Sequence, residues 1–410
     1  VAQPVGPVLA DNGQMPKARD LQPLPVPPGT GALDVLPALT RALDGDGPAL
    51  LPVAAGNAEE AQRLVAALAD GSPLAGAEDH PDDPTALVIA TSGSTGTPKG
   101  VLLPASALRA SAEATHRRLG GPGHWLLAMP AHHVAGIQVL VRALLAGTSP
   151  HAADTSAGFR PDRFAEAASQ VLAADGPHYT ALVPTQLSRL LDAGGDGLAT
   201  LRKFDAVLLG GAATPPALLR RARDCGIGVT TTYGMSETSG GCVYDGQPLD
   251  LAKVHIDGET GPIRLAGPML ARGYRHQPAA VAFTDGWFRT GDLGRWRGDR
   301  LEVLGRTDDM IITGGVNVAP LAVERVLTEQ DGVREACVLG VPDQEWGQAV
   351  VAAVVPADPA DPPAPHALRT AVRERLGAAA TPKRVAFLAE LPLRGPGKPD
   401  RRALAARLDS

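Results

Sequence analysis

Aromatic side chains are scarce in this chain of 410 residues: four Trp, four Tyr and six Phe. Ala, Val and Leu must therefore fill the interior, and a hydrophobic share of 44% is enough for a sizeable core. Cysteine is scarcer still. Cys225, Cys242 and Cys337 are odd in number, far apart and without paired metal spacing, which excludes a disulfide framework and suits a reducing cytosol. No apolar run is long enough to cross a bilayer, since Val134 to Ala146 is short and broken by Gln138 and Arg142. No charged segment followed by an apolar run opens the sequence, so no signal peptide is expected and the expected location is the cytoplasm. Basic runs are missing as well. With 38 basic against 44 acidic residues the net charge is -6, so no nucleic-acid partner is expected. Lysine is rare, six against 32 Arg. Two of those six, Lys99 and Lys398, lie in the motifs below, and a retained Lys marks a place that needs a compact ammonium.

The length points to two or three domains. The first thirty residues, rich in Pro and Gly, read as a poorly structured lead-in. A helix is predicted from about Ala58 to Leu68, a loop over Gly71 to Pro84, and a buried strand over Ala86 to Ala90. Strands and helices then alternate. The pattern gives a strand at Trp125 to Met129, a helix at Val134 to Leu145 and a strand at Tyr179 to Val183. It continues with a helix at Thr185 to Leu191, capped by Thr185, and a strand at Asp205 to Leu209. A helix at Pro216 to Arg223 and a strand at Val229 to Thr232 follow. This alternation predicts an α/β fold with a largely parallel sheet, followed from Pro262 to Leu304 by a small β subdomain. After Gly305 a small α+β unit is expected. It has a helix at Pro320 to Leu327, strands near Ala336 to Gly340 and Val350 to Val355, a helix at His366 to Leu376 and a polar tail.

Four short runs carry chemistry. Thr91-Ser92-Gly93-Ser94-Thr95-Gly96-Thr97-Pro98-Lys99-Gly100 follows a buried strand with hydroxyls, glycines and one lysine. Glycines admit backbone N–H groups to phosphate oxygens, hydroxyls add donors and Lys99 adds charge. The spacing is not that of a Walker loop. Tyr233-Gly234-Met235-Ser236-Glu237-Thr238 places a carboxylate at a strand's C-terminal edge, where it can meet a ligand or its Mg²⁺. Taken alone, a Ser-Glu pair is more often a helix cap. Asp292, in the Thr290-Gly291-Asp292 run, reads as an acid in a tight turn that can accept ribose hydroxyls, with Arg306 for the ribose or a phosphate. Lys398 stands in the Gly/Pro loop Gly395-Pro396-Gly397, where a mobile charge can reach a phosphate.

Together these runs resemble the adenylate-forming superfamily of acyl-CoA synthetases, carrier-loading adenylation domains and luciferases, over about residues 85 to 405. The resemblance implies a large domain over residues 1–307 that holds ATP and the acyl pocket. A small mobile domain over residues 308–410 would carry Lys398 and swing about Asp308. It implies that Thr91, Ser92, Gly93, Ser94, Thr95, Gly96 and Lys99 cradle the pyrophosphate end of ATP. Gly210, Gly211, Ala212, Tyr233 and Gly234 would flank adenine, and Asp292 and Arg306 would take the ribose. Glu237 would bind Mg²⁺, Ser236 would touch the α-phosphate, and Lys398 would bridge the carboxylate and ATP. Thr313 to Val316 would line a thiol channel. The implied reaction is two-step, with CoA as the second substrate, no membrane insertion, and a homodimer as a state the resemblance allows.

Within that superfamily, Met129 to Gly136, Val183 to Leu187 and especially Ser236 to Gly246 resemble the o-succinylbenzoate–CoA ligase branch of menaquinone biosynthesis, in its actinobacterial form. The acyl pocket implied holds His133, Thr185, Ser239, Gly240 and Gly241, with Ser239 and the two glycines offering donors and room for a ring. For His133 a core or capping role is the competing reading. Alternatives are another aryl- or acyl-CoA ligase, or a stand-alone adenylation enzyme that loads a carrier protein. A nucleotide-binding module without catalysis would need neither Glu237 nor Lys398.

Overall fold

The computed structural model describes residues 18–92, 98–277, 281–394 and 398–408. Two sheets and the helices between them build the large domain. The first sheet runs Leu21–Val26, Ala49–Ala54, Thr85–Ser92, Pro98–Pro104, Gly273–Tyr274, the first three strands parallel and the last two antiparallel. The second has seven strands in the order Gln247–Pro248, Gly240–Tyr244, Val229–Met235, Ala206–Leu209, His178–Leu182, His124–Leu127, His151–Ala152. Five of these are parallel, and the hairpin Gly240–Tyr244 closes one edge antiparallel. Helices Ala105–Leu119 and Val134–Ala146 share one core with both sheets, through Leu108, Ile137, Leu140, Ile89, Leu127 and Leu208. Helices Pro161–Val171, Pro184–Ala193 and Pro216–Asp224 cover the second sheet's other face. This is the parallel-sheet architecture that the alternating pattern predicts.

The sequence reading departs from the fold at both ends. The Pro-rich lead-in contains a strand, Leu21–Val26, at the edge of the first sheet. Its Asp20 and Val26 carbonyls accept from Ala49 and Ala55, so Pro23 and Pro25 face the open side, where a missing N–H removes no ladder bond. Thr185 is not a cap: Val183 precedes the helix, Pro184 opens it, and the Gln186 side chain accepts from the Val183 N–H at 3.0 Å. The polar tail is a helix, Arg401–Leu408, that buries Leu404 and Leu408.

The β subdomain pairs Lys253–Ile256, Gly261–Ala266, Trp287–Arg297 and Arg300–Arg306. Its last two strands place Asp292 opposite Arg306. Asp292 therefore lies inside a strand and not in the turn expected for it, and the register shift beside it, between Leu293 and Gly294, is where the ladder bends. The smaller C-terminal domain is a mixed sheet. Its strands run Val316–Val318, Ile311–Thr313, Gly347–Pro356, Val333–Asp343, with Arg384–Phe387 parallel to Gly347–Pro356. Helices Pro320–Thr328 and Pro365–Leu376 pack on one face and Arg401–Leu408 on the other. Arg325 ties this domain to the subdomain, donating to Glu302 at 2.7 Å and to the Val303 carbonyl at 2.8 Å. Among the described residues, no helix is long and apolar enough to cross a membrane.

Candidate active site

Parallel strands end in a common direction, and their C-terminal ends form the floor of a cleft. Strand Ala206–Leu209 delivers Gly210, Gly211 and Ala212 there, beside Tyr233 on its parallel neighbour. Gly210 is required by closeness, since a Cβ would lie 2.3 Å from Thr232 Oγ1. Gly234 is required more strictly, because its Cβ would lie 2.1 Å from the Gly240 carbonyl oxygen. The strand runs straight into the short 3-10 turn Ser236–Thr238, where the Thr238 hydroxyl accepts from Met235 N–H at 2.9 Å and donates to the Gly240 carbonyl at 2.7 Å. That turn aims Ser236 and Glu237 from the end of the sheet.

Glu237 is half-buried, and the Tyr274 hydroxyl donates to its Oε1 at 2.8 Å. Oε2 has no partner among the described residues. Lys99 stands over the same Tyr274 ring, Nζ 5.2 Å from the centroid. Gly93, Ser94, Thr95 and Gly96 of the phosphate loop lie outside the described residues, as does the side chain of Ser92. Thr91 and Lys99 face each other across the antiparallel ladder that flanks the loop.

Across the cleft, Tyr233 donates to Asp292 Oδ2 at 2.8 Å, and Arg306 Nη1 is 3.6 Å from Asp292 Oδ1. Burial raises the Asp292 pKa, opposed by the Tyr233 bond and by the charges of Arg306 and Lys398. Burial, and then Asp292, keeps the Tyr233 phenol protonated. Arg306 also forms a bidentate pair with Asp308, Nε–Oδ1 2.8 Å and Nη2–Oδ2 3.1 Å. Lys398, on a two-residue strand paired with Leu393–Arg394, is open to solvent on one side. The cleft around it still desolvates the ammonium enough to lower its pKa, helped by Arg306 and opposed by Asp292 and Glu237. The field of Lys398 also reaches His133. Lys398 thus lies within electrostatic reach of Glu237, Asp292, Arg306 and His133.

On the acyl side, His133 precedes helix Val134–Ala146, and its ring lies 4.3 Å from that of His132. Burial, then His132 and Lys398, lowers its pKa to about 4, so it is neutral at ordinary pH. Thr185 sits half-buried in the first turn of helix Pro184–Ala193. Ser239 does not fit the donor role expected of it. Its side chain is fully buried, its backbone is left-handed with φ 51°, and its hydroxyl donates to the Met269 carbonyl at 2.9 Å. Its own carbonyl accepts from Ser111 Oγ at 3.0 Å and Gln138 Nε2 at 2.7 Å. Ser239 therefore fixes the turn that carries Glu237, while Gly240 and Gly241 begin the strand that pairs with Met235 and Gly234.

The sequence reading missed the most unusual group here. Arg142 is 3% exposed, its guanidinium lies 5.1 Å from the centre of the Trp125 ring, and no carboxylate pairs with it among the described residues. Gly240 is left-handed with φ 102°, and a Cβ on it would lie 3.9 Å from Arg142 Nη2, in ordinary contact with this cation. His116 Nε2, Trp125 Nε1, Gln138 Oε1 and Arg142 Nε are all buried without a hydrogen-bond partner. Native interiors seldom leave such groups unpaired, and ordered water is the usual partner where the protein supplies none. Burial, then Arg142, lowers the His116 pKa to about 4, so the histidine adds no competing charge. The available signal was the interruption of an apolar helix by Gln138 and Arg142, four residues apart and so on one face. Tyr274, too, was unnoticed.

Glu237 suits Mg²⁺, which takes one or two carboxylate oxygens and completes its shell from phosphate and water. Its free Oε2 at the cleft floor meets that demand, and among the described residues no three His, Cys, Asp or Glu converge as a cage for another metal.

The chain matches the model of the AMP-binding enzyme family over residues 32–275 and that of the AMP-binding enzyme C-terminal domain over 322–398. It is 44% identical over 393 residues to a probable 2-succinylbenzoate–CoA ligase of Mycobacterium tuberculosis, covering 94% of this chain and 98% of the relative. It is 36% identical to the 2-succinylbenzoate–CoA ligase of Geobacillus kaustophilus, covering 78% of this chain and 68% of that one. Among solved structures it resembles o-succinylbenzoate CoA synthetase (MenE) of Bacillus subtilis in complex with the acyl-adenylate intermediate OSB-AMP. That match has a TM-score of 0.71 and 25% identity, and covers 95% of this chain and 88% of the other. The amide bond synthetase McbA of Marinactinospora thermotolerans matches with a TM-score of 0.79 and 28% identity, covering 96% and 90%. The fold, the cleft assembled from two domains and these likenesses agree: the chain belongs to the AMP-binding enzyme family.

Proposed function

We propose that the chain is an AMP-forming acid–thiol ligase that activates 2-succinylbenzoate as its acyl-adenylate and transfers the acyl group to CoA. The observation that carries the reading is the 44% identity over nearly the full length of both chains to a probable ligase of that acid. The unpaired Arg142 supports it independently. A buried cation without a counter-ion is costly by several kcal/mol, and the second carboxylate of a diacid would relieve that cost.

A carboxylate is a poor acyl donor, so its oxygen first attacks the α-phosphorus of ATP and pyrophosphate departs. Negative charge gathers there, and Lys398 is the mobile cation that neutralises it. Asp292, fixed by Tyr233 and Arg306, accepts the ribose hydroxyls, and Lys99 serves the phosphate chain. Glu237 and the phosphate oxygens would hold Mg²⁺, which supplies further charge neutralisation when bound. His133, neutral, borders the acyl group without adding charge. Thiol attack on the adenylate then releases AMP. Lys398 occupies the cleft in the present arrangement, so thioester formation follows a swing of the C-terminal domain about Asp308, the boundary of residues 1–307 and 308–410. The location consistent with these substrates is the cytoplasm.

The test is incubation with ATP, Mg²⁺, CoA and 2-succinylbenzoate, with benzoate and a fatty acid alongside, followed by mass spectrometry. AMP and a 2-succinylbenzoyl-CoA thioester appearing together support the reading. Preference for another acid overturns the substrate but not the chemistry.

A further inference from the structure

Glu237 is gripped twice by one short segment of chain. Ala271 N–H donates to the Glu237 carbonyl at 2.8 Å, and the Tyr274 hydroxyl donates to Glu237 Oε1 at 2.8 Å. Between them, Gly273 and Tyr274 pair with Leu102 and Val101, two residues beyond the Lys99-Gly100 end of the phosphate loop. The ring of Tyr274 is buried, edge-on to Phe283 at 5.5 Å, and its face lies under the Lys99 ammonium. Lys99 has no carboxylate partner among the described residues, so this ring face is what holds it. Arg275 locks the segment from the next position. Its fully buried guanidinium pairs with Glu78 and donates to the carbonyls of Leu68, Ser72 and Pro73 at 3.2, 2.7 and 3.1 Å. Arg275 N–H also donates to the Gly100 carbonyl at 2.7 Å. None of these bonds is needed to close the sheet beyond its two-residue edge strand, yet they fix one phenol between two functional groups.

We propose that Tyr274 is a positioning residue that sets the Glu237 carboxylate for the metal–nucleotide complex and holds Lys99 toward the same phosphates. The inference rests on the adenylate-forming reading of the site. With Oε1 occupied by the phenol, the carboxylate cannot rotate freely and presents Oε2 to the cleft. With the ring face occupied by Lys99, the ammonium stays near the loop and remains unpaired for an anion. One rigid side chain therefore aligns a metal ligand and a phosphate ligand contributed by different sheets.

The experiment uses the full-length protein with Tyr274→Phe and Tyr274→Leu, and measures Mn²⁺ binding to the enzyme with a non-hydrolysable ATP analogue by electron paramagnetic resonance. Calorimetry of the analogue without metal, the Mg²⁺ dependence of adenylate formation and the thermal midpoint complete the set. Phe keeps the ring and loses the hydroxyl, so metal binding should weaken about threefold to tenfold while metal-free nucleotide affinity stays unchanged. Leu should add a loss of about twofold to fivefold in metal-free nucleotide affinity, because the surface under Lys99 is gone. In both variants the KM for the acid should hold while half-saturating Mg²⁺ rises. Unchanged metal binding in Phe, or a uniform fall in all parameters together with the thermal midpoint, overturns the proposal alone. Failure of the unmodified enzyme to bind the Mn²⁺–nucleotide complex overturns the proposal together with the reading beneath it.

Discussion

The nucleotide side and the acyl side of the cleft handle charge in opposite ways. On the nucleotide side the acids have partners: Asp292 has Tyr233 and Arg306, Asp308 has Arg306, and Glu237 has Tyr274. On the proposed acyl side a single guanidinium, Arg142, is buried beside Trp125 and His116 with no carboxylate partner among the described residues. The acids of the first arrangement are held by neighbouring side chains. The cation of the second is stabilised by an anion, which the second carboxylate of the proposed diacid would bring. On the proposed function, the shared chemistry sits where the acids are paired and the specificity beside a buried cation that is not.

The largest effect should come from the mobile charge that joins the two sides. Lys398→Ala should slow adenylate formation on the order of 10²–10³, while a supplied acyl-adenylate is still converted to thioester. Equal losses in both half-reactions, measured separately by rapid quench, would remove Lys398 from its assigned role. Next, Arg142→Met should lower kcat/KM for the diacid by about ten- to a hundredfold, with ATP binding unchanged. Should the loss instead appear in the KM for ATP, the two sides would not be separable in this way. Asp308→Pro should restrict the swing and slow thioester formation more than adenylation. Equal rates in stopped-flow assays of the two steps would take the hinge from Asp308.

The smallest effect concerns stability. The His116 pKa falls from an ordinary 6.5 to about 4 on folding, so the unfolded chain binds the extra proton between those values. Its contribution to stability is therefore intact above pH 6.5 and is lost as pH falls toward 4, on the order of 2–3 kcal/mol. His116→Gln should flatten the denaturation midpoint over that window. An unchanged slope in urea titrations at several pH values would show that burial beside Arg142 does not hold the ring neutral.

The same contrast explains what was legible in the sequence. Nucleotide-side residues lie in contiguous runs after strands, because backbone close to phosphates needs glycines and hydroxyls in a row. Tyr233 and Glu237 lie in those runs, whereas Gly210 came only with the family resemblance. Even there the local reading erred where the sheet overrode it: Asp292 reads as a turn residue, yet a strand partner, Arg306, holds it in a ladder. Pro23 and Pro25 read as disorder, yet they suit a strand whose outer edge is free. The acyl side was less legible. Ser239 reads as a free donor until the fold brings Met269 to its hydroxyl. Arg142 acquires meaning only when Trp125 and Gly240 lie beside it and, among the described residues, no carboxylate pairs with it. An absence of partners is a tertiary property that no spacing encodes.

Selection of an acid with a second carboxylate is the property on which the proposed function turns. It is tested most directly by kcat/KM for 2-succinylbenzoate against its two monocarboxylic analogues, 4-oxo-4-phenylbutanoate and 2-butanoylbenzoate, in the native enzyme and in Arg142→Met. The account predicts that the diacid leads the better monoacid by about ten- to a hundredfold in the native enzyme, and that the lead collapses in the variant. A diacid preference that survives the loss of Arg142, or a monoacid used equally well by the native enzyme, would contradict it.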